Sequence, residues 1–386
     1  MKRNPHYQLK YISGTPYLIA FGQATAEFKQ DIQLNESSMF LWNHFEEVST
    51  AEELAALYAR EFSIPSEEFP TLETSIDRLI ASFYHRGILI PDNTDYIGKE
   101  EFCTSLAIAG LTVKLYGARA CFVDDLFAFE YDFDMPASNN TQEISVQTAP
   151  PPYNKTGRLL LQSKELTVLE GEDRYYLLFP SLTYIKEAHI SFDGRHASIY
   201  CKQAQTEECK QETFSVMATL FMYFASKHNM IIIHSASILY KDKAWLFAAA
   251  SGIGKTTHTN LWQEFAKTPL INGDLNLISI ESGKPAIHGI PWCGSSGIYD
   301  SRTYDLGGII LLKQAPTDEC VYLTDEQKIL SISHRNISPA WTCDMQDNNI
   351  KIIERIYSDI FVCSLNCTPT QSAVTCIKNA IDTYSA

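Results

Sequence analysis

Apolar and polar residues alternate strictly near the start of the chain. Tyr7, Leu9 and Tyr11 precede a turn cluster, Ser13-Gly14-Thr15-Pro16, and Tyr17, Ile19 and Phe21 follow it. This period of two predicts a β-hairpin over residues 7–22. The spacing then lengthens to three and four, which predicts three short helices. The first covers residues 35–47, with Asn35 as its cap and Phe40, Leu41, Trp42 and Phe45 as its apolar positions. The second opens with a capping box at Ser49-Thr50-Ala51-Glu52, ahead of Leu54, Leu57 and Phe62. The third carries Leu72, Ile76, Leu79, Ile80 and Phe83 on one stripe and stops at Gly87. GILIPD then closes a small hairpin-and-helix unit.

Between residues 102 and 200 the pattern returns to short alternating strands, clearest in LTVKLYG, YYLLFP, AHISFDG and ASIYCK. Residues 135–157 are rich in Pro, Asn, Ser and Thr and read as a mobile surface loop. Residues 212–226 place Phe214, Met217, Phe221 and Phe224 on the core-facing stripe of a helix. Two continuous apolar runs, MIIIHSASIL and AWLFAAA, suit central strands covered on both faces. INGDLNLISIE, AIHGIPWCG and GGIILLKQA read as further strands. Thr368-Pro369 opens a last helix whose buried stripe is Val374, Ile377 and Ile381. A chain of 386 residues exceeds what one core organises, and the change of pattern divides it into residues 1–96 and 97–386. The fold class is α/β, or α+β taken over the whole chain.

Composition narrows the partners. Apolar residues at 45% and charged residues at 20% are ordinary for a globular protein. A net charge of −15 repels phosphate backbones, which argues against nucleic acid as the main partner. No apolar run reaches the length of a membrane span, and no signal-peptide core follows the basic start. The ten cysteines are scattered and read as reduced thiols of a cytoplasmic protein.

The chemistry concentrates at Ala249-Ala250-Ser251-Gly252-Ile253-Gly254-Lys255-Thr256, with Thr257 next. This matches the phosphate-loop pattern G-x-x-x-x-G-K-[ST] at every position except the first, where Ala249 replaces glycine. Gly252 and Gly254 permit backbone angles that turn successive N–H groups inward as an anion nest. The helix after Gly254 aims its free N–H groups at the phosphates, with Leu261, Trp262 and Phe265 as its inner face. Lys255 supplies a full charge toward the β/γ oxygens, and Thr256 offers a hydroxyl to Mg²⁺. Residues 251–257 are therefore the expected ATP-binding segment. Asp274, in Asn272-Gly273-Asp274 about 20 residues on, is the expected second ligand to the metal and a partner for an acceptor hydroxyl. His234 reads either as a satisfied core histidine or as a strand-end group touching the phosphates. Pro291-Trp292-Cys293-Gly294-Ser295-Ser296-Gly297 is either a rim of the site or a plain loop. Cys363 and Cys367 read as structural thiols, and Asp124-Asp125 as a solvated strand end.

His234-Ser235-Ala236, the S-G-I-G-K-T loop and Asp274 together resemble the HPr serine kinase/phosphorylase family, which shares its nucleotide fold with ATP-dependent phosphoenolpyruvate carboxykinases. The resemblance spans residues 97–386. It implies that Lys255 and Thr256 handle phosphates and metal, that Asp274 matches one acid of the family's pair, and that His234 assists, so that Asp274, His234 and Lys255 form the catalytic set. Gly273 stands where the other acid would be. GIPWCGSS and VCSLNCTPTQSAVTCIKNAI look like a kinase-like branch of peptide-modification pathways. The first 96 residues are similar to PqqD-type peptide-recognition domains, through the hairpin, QLNESSMFLW, STAEELAALYAREF and the helix before GILI. That similarity implies a winged-helix-like module gripping the leader of a ribosomally made precursor peptide by strand addition. The combined expectation is an ATP- and Mg²⁺-dependent kinase acting on a Ser or Thr hydroxyl of that peptide. A nucleotide sensor without transfer and an ATP-driven ligase are the alternatives. Relatives often form homo-oligomers, which leaves that state open here.

Overall fold

The computed structural model describes residues 2–22, 31–48, 50–86, 88–90, 100–131, 138–148, 151, 157–201, 206–250, 252–281 and 283–384. It is a mixed α/β molecule that divides into two compact units. One comprises residues 1–98, 147–188 and 200–203; the other comprises 99–146, 189–199 and 204–386.

In the first unit, β1 (Lys2–Arg3) precedes a hairpin of β2 (Tyr7–Ile12) and β3 (Thr15–Ala20), to which β4 (Ile32–Gln33) adds antiparallel. The turn is tighter than the sequence cluster suggests: only Ser13 and Gly14 lie outside the ladder, both at positive φ. α1 (Glu36–His44) is capped by Asn35. α2 (Ala51–Glu61) is capped by Thr50 with Glu53 answering it, so the capping box sits one residue later than expected; Ser49 lies outside the described residues. α3 (Phe69–His85) leads to β5 (Leu89–Ile90), which pairs with β1; Gly87 also lies outside the described residues. Leu18, Leu34, Trp42, Phe45, Leu54, Ile76 and Phe83 make the core of this part.

β6 (Phe102–Ile108) and β7 (Leu111–Tyr116) form an antiparallel pair, and β8 (Thr141–Gln147) joins β7 in parallel. β8 corrects the expectation of a loop across residues 135–157. Ile144 and Val146 are buried in it, but Thr, Gln, Glu and Ser around them hide the strand from a composition reading. Residues 132–137, 149–150 and 152–156 of that stretch lie outside the described residues. β9 (Arg158–Gln162), β10 (Thr167–Glu170) and β11 (Arg174–Leu178) are an antiparallel meander, followed by β12 (Ile185–Ser191) and β13 (His196–Cys201). Asp124-Asp125 opens a 3-10 helix rather than ending a strand.

The second unit continues with α4 (Glu207–Lys227), which starts earlier than its apolar stripe because Thr206 caps it. β14 (Ile231–Tyr240) and β15 (Lys243–Ala248) are antiparallel neighbours. α5 (Lys255–Leu261) runs into a π-helical turn, Trp262–Ala266. The wider winding leaves Phe265 41% exposed, against the expectation that it faces inward, while Trp262 is fully buried. β16 (Leu270–Asn272), β17 (Leu275–Glu281), β18 (Lys284–His288) and β19 (Thr303–Gln314) follow, then β20 (Glu319–Tyr322), α6 (Asp325–Ser333), α7 (Cys343–Tyr357), β21 (Phe361–Cys367) and α8 (Gln371–Tyr384). α8 starts two residues beyond Pro369, and Val374, Ile377 and Ile381 are its buried stripe as expected.

Two long strands are shared between sheets. The first half of β14 pairs with β17 and the second half with β15 and β16; β19 pairs first with β18, then with β15 and β21 in parallel. The alternation within β15 shows why its sequence is apolar throughout. Ala244, Leu246 and Ala248 pack with Ile353 and Ile356 of α7, whereas Trp245 and Phe247 pack with Trp262 and with Val374 and Ile377 of α8. Parallel β15, β19 and β21 therefore end at one edge, at Ala248, Gln314 and Cys367. That edge is where an open α/β sheet places a ligand.

Candidate functional site

β15 delivers the chain to that edge. Ala249, the departure from the loop pattern, is fully buried beside Trp245, Phe247 and Trp262, so its methyl packs into the core. Gly252 and Gly254 have φ of 79° and 112°. A Cβ on Gly252 would meet nothing within 4 Å, so backbone conformation rather than crowding requires glycine there. Gly254 is the cap residue of α5 and no side chain among the described residues caps the helix, which leaves the first-turn N–H groups for a ligand.

The Asn272-Gly273-Asp274 bend is built by buried amides. Asn272 Oδ1 accepts from the backbone N–H groups of Asp274 (2.9 Å) and Leu275 (3.0 Å), which ends β16 and starts β17. Asn276 Nδ2 donates to the Ser235 carbonyl at 2.5 Å, and Ser237 Oγ donates to Asn276 Oδ1 at 2.7 Å. The Ser235 N–H bonds the Asp274 carbonyl at 2.9 Å. This network holds β14 beside the bend and brings His234 to Asp274.

Three of the expected residues meet at one atom. His234 Nε2 lies 3.0 Å from Asp274 Oδ1 and 3.0 Å from Lys255 Nζ. A single ring nitrogen either donates to the carboxylate or accepts from the ammonium, so its tautomer decides which contact is a hydrogen bond. Burial holds the Lys255 ammonium below the usual lysine range; Asp274 opposes that shift and the Arg335 charge adds to it.

His234, Lys255, Thr256, Thr257 and Asp274 line one cleft of about 470 Å³ together with Gly252 and Gly254. Ile253 lines a second cleft on the other side of the loop. Ser251 lies outside the described residues. Cys293 and Ser296 also line the first cleft, so the glycine-serine loop forms part of its rim. The rim presses hard on the bend: a Cβ on Gly273 would fall 2.1 Å from Ser296 Oγ, and one on Gly294 would fall 2.8 Å from Asp274 Cβ. Ser296 thus fills the space that a side chain at position 273 would need.

Arg335 escaped the sequence reading. Its carbonyl accepts from the His234 N–H at 2.9 Å, and its Nε is buried without a hydrogen-bond partner among the described residues. It follows α6 in an unremarkable SHRN stretch, so only the pairing of Ile233 with Asn336 reveals that it borders the site. Gln314, at the end of β19, was missed for the same reason; its Nε2 donates to the Ile253 carbonyl at 3.2 Å.

The Thr256 hydroxyl and the Asp274 carboxylate are hard oxygen donors in one cleft, which suits Mg²⁺. No group of three or more His, Cys, Asp or Glu that could hold a metal occurs among the described residues. None of the ten cysteines is in a disulfide, and no described helix is long and apolar enough to cross a membrane. Protein-family models give no match to this chain, and no curated protein matches it significantly.

Proposed function

We propose that this protein is an ATP-dependent kinase that phosphorylates a Ser or Thr hydroxyl of a ribosomally made precursor peptide. Residues 97–386 would be an HPr kinase-like domain and residues 1–96 a PqqD-like, winged-helix-like module that holds the peptide leader. The observation that carries the reading is the meeting of Lys255, His234 and Asp274 at His234 Nε2, beside a loop bent by two left-handed glycines.

In this reading the loop N–H groups and Lys255 hold the β/γ oxygens, and Thr256 with Asp274 holds the metal. Bound Mg²⁺ supplies charge neutralisation on the transferring phosphoryl group. His234 fixes the Asp274 carboxylate, and Arg335, in the turn after α6, adds positive charge near Lys255. The remaining rate enhancement comes from placing the acceptor oxygen in line. The hairpin followed by three helices supports the leader-binding part, and tethering the leader raises the local concentration of the acceptor segment.

One feature favours the alternative of a sensor without transfer: Ser296 crowds position 273, which the resemblance matches to the family's other acid, so that no side chain fits there. Intact-mass analysis of a candidate precursor with protein, ATP and Mg²⁺ separates the readings. The kinase adds roughly 80 Da, the mass of HPO₃; a sensor adds nothing, and a ligase releases phosphate without leaving a phosphopeptide.

A further inference from the structure

The glycine loop divides two clefts of opposite character. The reaction cleft contains Lys255 and Asp274. Among the described residues, the second cleft, about 400 Å³, is lined by no Asp, Glu, Lys or Arg. Its walls include Leu261 and His258 of α5, Gln314, Cys367, Thr368 and Pro369, at the ends of parallel β19 and β21. Both clefts share Gly252, Gly254 and Thr257, so one ligand can lie across the loop with its charge on one side only. A polyphosphate tail carrying a neutral, mixed polar and apolar head has that shape, and the volume falls within the range of small-molecule sites.

Gln314 defines the head more closely. Its amide nitrogen donates to the Ile253 carbonyl at 3.2 Å. A carbonyl can only accept, so this bond fixes the amide orientation and leaves Gln314 Oε1 as an acceptor at the cleft wall. An acceptor there bonds the 6-amino group of adenine and opposes the 6-oxo group of guanine or hypoxanthine.

Resting on the kinase reading, we infer that the second cleft is the nucleoside subsite and that the free Gln314 amide oxygen makes it selective for a 6-aminopurine. The test compares the affinities of Mg·ATP, Mg·ITP and Mg·tripolyphosphate for the full-length protein by titration calorimetry. The wild type binds ATP more tightly than ITP by on the order of tenfold, the size of one neutral hydrogen bond. Gln314→Leu brings the two nucleotides level. Equal binding of ATP and ITP by the wild type overturns the inference, as does a preference that persists in Gln314→Leu, whatever that variant does to tripolyphosphate. Tripolyphosphate binding that depends on Lys255 keeps the loop reading intact in either case. Failure of the wild type to bind any of the three ligands overturns both.

Discussion

Gly254→Ala isolates what the loop's backbone contributes. Gly254 sits at φ 112°, and a Cβ built there meets nothing nearer than Thr257 Cβ at 3.8 Å. The substitution therefore adds no clash, only conformational strain. A non-glycine residue held at such an angle costs about 1–3 kcal/mol. Taking about 2 kcal/mol, the ratio of native to relaxed loop falls about 30-fold. The apparent dissociation constant for Mg·ATP then rises by up to about 30-fold, because only the native loop binds. The loop relaxes locally, so global unfolding should shift far less than binding does. Titration calorimetry measures the first quantity and thermal unfolding the second. Wild-type affinity in Gly254→Ala would refute the reasoning, because the anion nest would then not need the left-handed residue.

Further outcomes follow from the packing and charges. Trp262→Ala empties a fully buried indole site between β15 and α8, and should lower stability by about 3–5 kcal/mol in denaturant unfolding. Gly273→Ala should weaken nucleotide binding by driving its methyl onto Ser296, and Ser296→Gly in the same chain should restore much of the loss; a double-mutant cycle that finds the two additive counts against the contact. Burial lowers His258 to about 4, and its Nε2 accepts from Trp262 Nε1 at 3.3 Å. The unfolded chain takes up this proton near pH 6.5 while the folded ring stays neutral. The ring's stabilising contribution is thus full above pH 6.5 and is lost as pH falls toward 4, by up to about 3 kcal/mol. A wild-type stability profile with the same slope as His258→Gln between pH 6.5 and 4 would contradict this.

Local patterns in the sequence carried much of the fold. The hairpin, the caps at Asn35 and in the α2 box, the apolar runs of β14 and β15, and the stripe of α8 all depend on neighbours close in the chain. The same holds for the loop glycines, whose φ values satisfy what the motif requires. Features set by distant packing were not legible. β8 is a strand because β7 lies beside it, not because TQEISVQ is apolar. The π-helical turn that exposes Phe265 has no mark in the spacing of Leu261, Trp262 and Phe265. Gln314 reaches the site through the pairing of β19 with β21, and Arg335 through the bridge of its neighbour Asn336 to Ile233. The contact of Ser296 with Gly273 joins segments whose proximity no local pattern encodes.

The most direct measurement is Mg·ATP binding by the wild type and by Lys255→Ala under identical conditions. The wild type should give a saturable isotherm, and the variant should lose at least tenfold in affinity, because the half-buried ammonium is the only lysine or arginine side chain lining the reaction cleft among the described residues. No binding by the wild type, or equal binding by both, would contradict the account.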